Sequence, residues 1–346
     1  MTILSFDLGT GYDLFVSLWV LHHPAKFGLR PSWAAGVRSR LAPDQRSFLE
    51  QTQSFLPVPL AWLYSLPAGQ KSASGALSAL KDLAPAERLM ALSVSAETPP
   101  EVTARLKELR QRKIWGEDDL DLVRQSFHFG GQLMTREAAT ALCGVWCEPE
   151  IFGESYLCAL QTFYQAFFAE EEPRIGPALE AGLGLAEDQA KTLTLGALLE
   201  ELSHGVSFEP YLEIPEFVLV PSFWVSPLVI YGRVAPQTML LVFGSRPENE
   251  TLVPGEQLPG NLVTVLKSLA DSTRLHILSY LAEKPHTPSQ LARRLRLRPP
   301  TVIYHLNVLR LAGLVQVILQ PEGERRYTLR REAILAAMDH LKELLK

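Results

Sequence analysis

The sequence predicts a mainly α-helical protein that contains a small β-sheet segment and ends in a module of mixed α and β structure. Three observations support this fold class. Apolar residues recur at spacings of three and four through residues 12–205, as on the buried face of a helix. Short β-favouring runs separated by Pro, Ser and Gly follow in residues 216–244. The last 86 residues, 261–346, then differ from the rest in both pattern and charge.

The charge of the chain is divided unevenly along its length. Residues 261–346 carry 14 Lys and Arg against 7 Asp and Glu, a net charge of +7. The preceding residues carry 19 against 31, a net charge of −12, so the overall value of −5 combines an acidic part with a basic one. Only the basic part suits a polyanionic partner. We therefore place a domain boundary at residue 261.

The remaining boundaries follow from local composition. Residues 1–215 are predicted to form a helical sensor or assembly domain, and residues 216–244 a β-rich connector. Residues 245–260 are polar and contain Pro and Gly, which is typical of a linker. A chain of 346 residues is long for one hydrophobic core, in agreement with this division. The β-favouring runs of the connector are residues 217–220, 228–231 and 239–243.

Composition also bounds the cellular setting. The chain is 47% hydrophobic and 21% charged, as is ordinary for a globular protein. Residues 1–13 lack the pattern of a signal peptide, and the most apolar stretch, 217–231, contains two prolines and is too short to cross a bilayer. Three cysteines are too few, and odd in number, for a disulfide framework. We expect a cytoplasmic protein with no membrane segment.

The basic module begins with three predicted helices. Asn261 and Asp271 are candidate caps for the first two, and Thr287 with Pro288 is a typical start for the third. Pro299 and Pro300 disfavour α geometry in the residue before each, so a fourth helix is expected to begin at about Pro300. The predicted core residues of the second helix are Leu275, Ile277, Leu278 and Leu281.

The fourth helix is followed by a predicted β-hairpin and a last helix. Gly313 lets the chain leave the helix, residues 314–319 and 325–329 favour strands, and the segment between them has turn composition. Residues 331–345 carry an apolar stripe that suits dimerisation. This order of elements predicts a winged helix-turn-helix, in which the fourth helix enters the major groove of double-stranded DNA.

The predicted DNA contacts lie on the fourth helix and beside the hairpin turn. Val302, Leu306 and Leu309 share one face of the helix, so the other side is left for base edges. His305 is equally well explained as a partly buried residue that shapes the helix. The arginines of the third helix either contact phosphates or solvate a helix face. The predicted contacts are Arg298, Pro299, Thr301, Ile303, Tyr304, His305, Arg325 and Arg326, with possible phosphate contacts from Arg293, Arg294 and Arg296.

Two segments of this module, residues 266–278 and 299–315, resemble the ArsR family of winged-helix transcriptional regulators. The resemblance spans about a quarter of the chain. It implies a homodimer that binds two operator half-sites and usually represses transcription until an effector or a metal weakens the complex. For this chain we expect a small-molecule or protein effector. The family typically has a polar residue where this chain has Ile303. Its best-known metal sites are missing, since the third helix has no cysteine and the last offers only Asp339 and His340, so no metal or other cofactor is assigned. The long N-terminal part is similar to less characterised members with a helical extension.

Two further motifs invite other functions. Residues 7–11, DLGTG, weakly resemble a phosphate-binding loop, but a helix-capping turn is the better explanation, because the further motifs of a nucleotide site are missing. Cys143 and Cys147 lie one helical turn apart, with Cys158 nearby, and are either structural or a redox or metal pair. The alternatives to a transcriptional repressor are a DNA-anchored interaction scaffold and an enzyme-like N-terminal domain with accessory DNA binding. No complete catalytic motif supports the enzyme, and no catalytic residue is assigned.

Overall fold

The computed structural model describes residues 2–27, 29–129, 132–247, 250, 260–319 and 325–344. The predicted linker at 245–260 and the hairpin turn at 320–324 therefore lie largely or wholly outside the described residues. The helices are α1 Thr10–His22, α2 Pro31–Arg38, α3 Pro43–Thr52, α4 Leu60–Ser65, α5 Ala73–Asp82, α6 Pro85–Ser93, α7 Pro100–Arg112, α8 Glu117–Ser126, α9 Arg136–Cys147, α10 Pro149–Phe163, α11 Ala169–Ala190, α12 Leu195–Leu202, α13 Gly260–Leu269, α14 Ser272–Glu283, α15 Pro288–Leu295, α16 Pro299–Leu311 and α17 Arg331–Leu344.

The strands are fewer and shorter. A π-helical turn, Tyr164–Phe168, joins α10 to α11, and 3₁₀ turns occupy Pro24–Phe27, Ala68–Gln70 and Glu209–Tyr211. The mainly α-helical class with a C-terminal winged helix is confirmed. The strands are β1 Ile3–Phe6, β2 His128–Phe129, β3 Gln132–Leu133, β4 Val206–Ser207, β5 Glu216–Ser222, β6 Ile230–Ala235, β7 Thr238–Gly244, β8 Val315–Leu319 and β9 Arg325–Leu329.

A four-stranded sheet with the order β1-β5-β7-β6 lies at the centre of the chain. Strands β1, β5 and β7 are parallel, and β6 pairs antiparallel with β7 at one edge. Three of its strands occupy the β-favouring residues 216–244. The fourth, β1, comes from the range expected to be helical, so the sheet is not confined to the predicted connector. A four-residue strand is too short for its sequence pattern to be distinctive.

Both faces of this sheet are buried. Alternate residues of a strand point to opposite sides, so each strand contributes to two cores. Val218, Val220, Leu240 and Val242 belong to the core formed with the helical body. Phe217, Leu219, Met239 and Leu241 belong to a second core that also contains α12 and the interior of the winged helix. The sheet is therefore the layer between the helical body and the winged helix.

Helix α1 is buried almost throughout, and a buried carboxylate fixes its start. Asp13 accepts hydrogen bonds from the Ser222 hydroxyl at 2.5 Å and from the backbone N–H groups of Phe223 at 3.1 Å and Trp224 at 3.2 Å. Burial raises the pKa of Asp13 to about 6, against the opposing effect of these bonds. Asp13 thus holds the chain where it leaves β5.

The winged helix forms with two of the three expected caps, whereas Asn261 is wrong as a cap because α13 already begins at Gly260. Asp271 accepts from the Arg274 N–H at 2.9 Å, and Thr287 forms a capping box with Gln290 at the start of α15. The predicted core of α14 is wrong at Leu275, which is 50% exposed. At 100° per residue it lies about 110° from the mean direction of the three buried residues, Ile277, Leu278 and Leu281.

The winged helix is joined to the preceding domain by main-chain pairing. Strand β4 runs parallel to β8 with Val206 opposite Val317, and the Val317 N–H donates to the Gly205 carbonyl at 2.9 Å. Arg330 donates to the His204 carbonyl at 3.0 Å. The outer edge of the hairpin is thus covered by a strand of the N-terminal part, which protects it from pairing with other chains.

We expect Asp13→Ala to lower the free energy of unfolding by about 3 kcal/mol, because three buried donors lose their acceptor together. Urea denaturation of the full chain measures the change. Asp82, an exposed residue at the end of α5, is the matched control, and its replacement by alanine should change stability by less than about 0.5 kcal/mol. Equal effects of the two substitutions would contradict the role given to Asp13.

Candidate nucleic-acid interface

The fourth helix of the winged module, α16, presents one polar face to solvent. Val302, Leu306 and Leu309 are fully buried against the module's core, as predicted. The opposite side consequently carries exposed residues, and the Tyr304 ring is 62% exposed. The exposed polar residues of this face are Thr301, Tyr304 and Asn307. They are hydrogen-bonding side chains of the kinds that contact bases and phosphates.

The start of α16 has few backbone donors to offer. Arg298 is the N-cap residue and is exposed, and Pro299 and Pro300 have no N–H group. The Thr301 N–H already donates to the Arg298 carbonyl at 3.0 Å. A phosphate at this end would have to be bound by side chains, and Arg298 and Thr301 stay the predicted ones.

His305 and Ile303 lie on the flanks of the helix rather than on its open face. The His305 Nδ1 atom is 4.0 Å from Asp271 Oδ1, and the imidazole is only 13% exposed. Its neighbour Asp271 is the cap of α14, so His305 contacts the turn that precedes that helix. This placement favours a positioning role for His305 over a base contact. Ile303 is half-buried.

The two arginines of the hairpin point to opposite faces. Arg325 is opposite Leu319 and shares the inner face with buried Tyr327, whereas Arg326 is opposite Ile318 and is exposed. The period of two along a strand requires this separation of adjacent residues. Arg326 is thus the arginine available to phosphate, and Arg325 faces the protein.

Sequence reasoning missed a second arginine that faces the protein. Arg310 lies on the inner side of α16, where burial first, and the charge of Arg325 second, lower its pKa. The charges of Arg325 and Arg310 also act on Tyr231 of the central sheet, although burial is the main cause that raises the pKa of Tyr231. Helical spacing was the available signal, since Arg310 follows buried Leu306 by four residues.

The arginines on α15 and at its end also divide into one that contacts the protein and two that are exposed. Arg294 forms an ion pair with Glu283 at 3.3 Å, and its guanidinium lies 5.0 Å from the centre of the Tyr280 ring. Arg293 and Arg296 are exposed, with Arg296 in left-handed conformation at the end of the helix. Arg294 therefore stabilises its own module, and the other two remain candidates for phosphate contacts.

The DLGTG segment lies between a strand and a helix, but its polar groups are used within the protein. Asp7 forms an ion pair with Lys71 and accepts from the Tyr12 hydroxyl at 2.7 Å. The Gly11 N–H donates to the Lys71 carbonyl at 2.8 Å, and the Thr10 hydroxyl donates to Glu172. The Glu172 carboxylate also accepts from the Ala73 N–H at 3.2 Å. These internal hydrogen bonds favour a structural turn over a phosphate site.

The cysteines fit a structural role. Cys143 and Cys147 are buried in α9, and burial raises the pKa of both thiols, that of Cys143 to about 12. Both thiols are therefore neutral at physiological pH and poor metal ligands. Within the described ranges, no group of three or more His, Cys, Asp or Glu is arranged to bind a metal ion. Of the described helices, none combines the length and apolarity needed to cross a bilayer.

Comparison with known proteins gives one family. The family described as "Bacterial regulatory protein, arsR family" matches residues 271–317, from the cap of α14 into β8. A crystal structure of an ArsR family transcriptional regulator is 28% identical, covers 26% of this chain and 91% of its own, and has a TM-score of 0.24. The structure of reduced HlyU from Vibrio cholerae is 30% identical, covers 25% of this chain and 88% of its own, and has a TM-score of 0.21. No curated protein matches the chain.

Alkylation should distinguish the cysteines of the native protein. Iodoacetamide at pH 8 is expected to modify exposed Cys158, whereas Cys143 and Cys147 should react more than about a hundredfold more slowly because they are buried and protonated. Mass spectrometry of tryptic peptides locates the label. In urea all three thiols should react. Rapid native labelling of Cys143 or Cys147 would show that α9 presents a reactive pair.

Proposed function

We propose that this chain, whose residues 271–317 match the arsR family of bacterial regulatory proteins, represses transcription as a homodimer on double-stranded DNA. The observation that carries the proposal is the open face of α16. Its inner residues are fully buried, and its outer residues Thr301, Tyr304 and Asn307 are exposed. A helix of 13 residues is about 20 Å long, a length that suits the major groove.

The proposed contacts differ in chemistry. Thr301, Tyr304 and Asn307 supply hydroxyl and amide groups for base edges, which specify sequence. Arg298 and Arg326, at the helix start and on the wing, supply charge for phosphates, which fixes the register of the protein on DNA. Arg293 and Arg296 extend this charge along α15. Arg325, which faces the protein, and His305, which is half-buried beside Asp271, are proposed to stabilise the module rather than to contact DNA.

A second copy of the chain is the proposed partner for the apolar surface of the winged helix. Leu335 on α17 is 58% exposed and Leu275 on α14 is 50% exposed. Leu335 belongs to the apolar stripe of α17, and an amphipathic helix with an exposed apolar residue can bury it against a second copy. A twofold dimer would place two α16 helices in successive major grooves about 34 Å apart.

The N-terminal part is proposed to be the sensor. Its strand β4 extends the hairpin sheet, and its sheet shares a core with the winged helix. A ligand that shifts the N-terminal part therefore moves the reading helix with it, and the two half-sites are no longer met together. This close attachment supports a mechanism in which the ligand changes the position of the winged helix. It disfavours one in which a flexible linker lets the two parts move independently.

Tyr304→Ala should weaken specific DNA binding by about 1–3 kcal/mol, or roughly 5- to 150-fold, and leave nonspecific binding unchanged. Fluorescence anisotropy with a site selected from random DNA measures both. Ser279→Ala, at an exposed position on α14, is the control and should bind like the wild type. If the Tyr304 variant binds the selected site as tightly as the wild type does, Tyr304 does not contact the bases.

The two wing arginines should separate in their salt dependence. Arg326→Ala is expected to reduce the slope of log K against log salt concentration by about 0.9, the value for one phosphate contact. Arg325→Ala should leave that slope unchanged, because its side chain faces the protein. Titrations at several salt concentrations give both slopes. If neither variant changes the slope, the wing does not contact phosphate.

A further inference from the structure

Two arginines meet over one buried ring where the parallel strands β5 and β7 end. The Arg174 guanidinium carbon is 4.5 Å from the centre of the Phe223 ring, and that of Arg246 is 5.8 Å away. Phe223 is fully buried. The carboxyl ends of parallel strands are where α/β sheets generally bind ligands, so this arginine pair stands at a favourable place in the fold.

The backbone around the pair is closely packed. Arg246 follows β7, and the preceding Ser245 N–H donates to the Ser222 carbonyl at 2.9 Å. Helix α11, which carries Arg174, approaches Ser245 through Gly182, where a Cβ atom would lie 2.3 Å from the Ser245 Cβ. The two guanidinium groups are therefore held by rigid elements, as a preorganised site requires.

Several donors around the pair are buried without a partner. Arg246 donates through Nη2 to the Ser226 carbonyl at 3.1 Å. Its Nη1 and the Nε of Arg174 are buried and have no hydrogen-bond partner among the described residues. A buried donor without a partner is unfavourable, and more so when it is charged. Two such donors on arginines that share one ring indicate a missing acceptor.

The electrostatics point to an anionic acceptor. Burial, and then the charge of Arg174, lower the pKa of Arg246 to about 10, so the group is still charged at neutral pH. Arg174 pairs with Glu171 at 2.5 Å and with Glu250 at 3.3 Å, and the Glu250 side chain is 40% exposed. Glu250 is thus an accessible carboxylate resting on one side of the arginine pair.

We propose that Arg174 and Arg246 bind the oxyanion group of a small molecule, a carboxylate or a phosphate, which displaces the Glu250 carboxylate and accepts from Arg246 Nη1. Exchange of one anion for another preserves the local charge balance. The proposal rests on the proposed function, since it assigns a chemical class to the effector.

Isothermal titration of the full chain with inorganic phosphate, and separately with acetate, at constant ionic strength tests the site. We expect saturable binding of at least one, and the comparison identifies which oxyanion fits. Arg246→Gln should abolish it. Glu250→Gln should tighten it about two- to fivefold, because an exposed competing ion pair is worth up to about 1 kcal/mol.

The pair Arg40 and Glu170 provides matched controls. Arg40 lies 6.0 Å from the Phe167 ring and pairs with exposed Glu170 at 3.4 Å, so Arg40→Gln and Glu170→Gln should leave the titration unchanged. Absence of saturable binding in both the wild type and Glu250→Gln overturns the proposal. An unchanged affinity of Glu250→Gln for the anion also overturns the proposal. This second test does not depend on whether Arg246→Gln folds. The titration contains no DNA, so failure of DNA binding would not affect it.

Discussion

The constraint on which the rest of the structure depends is the burial of both faces of the central sheet. Strands β5 and β7 send alternate side chains into two different cores, one shared with the helical body and one with the winged helix. Parallel strands buried on both faces require continuous apolar runs, which is what these segments contain. Neither core is complete without the sheet, so the DNA-reading module and the proposed sensor cannot be treated as independent bodies.

A second link works through main-chain hydrogen bonds rather than apolar contact. Strand β4 occupies the edge of β8, and Arg330 bonds to the carbonyl of His204. Gly205 has a φ of +95°, and a Cβ there would lie 2.7 Å from the Arg330 side chain, so this close approach requires glycine. The wing is consequently held at its outer edge. In the proposed mechanism, a change in the N-terminal part would reach the wing through this paired backbone.

Local signals made the winged helix predictable from sequence. Asp271, Thr287 and the two prolines at 299 and 300 each mark a helix start through a short-range steric or hydrogen-bonding effect, and the structure places helices there. The buried face of α16 followed from helical spacing alone. The roles of its exposed residues stay predictions, since they depend on a partner.

What the sequence could not reveal depends on contacts between distant segments. Strand β1 pairs with residues more than 200 positions away, and β4 has only two residues, so neither has a distinctive local pattern. The arginine pair over Phe223 likewise combines a helix, a strand end and a turn. The inward direction of Arg325 is different, because the alternation of a strand predicts that adjacent Arg325 and Arg326 separate, but it does not say which faces inward.

The distribution of arginines changes the meaning of the basic charge of residues 261–346. Arg330 binds the N-terminal part, Arg310 and Arg325 face inward, and Arg294 is paired with Glu283. In the proposed complex Arg330, Arg310 and Arg325 are directed at the protein, and Arg294 is engaged by an exposed ion pair. The net charge of +7 therefore exceeds the charge that is free to meet a phosphate backbone. The proposed specificity then depends on the hydroxyl and amide groups of α16 more than the overall charge of the module implies.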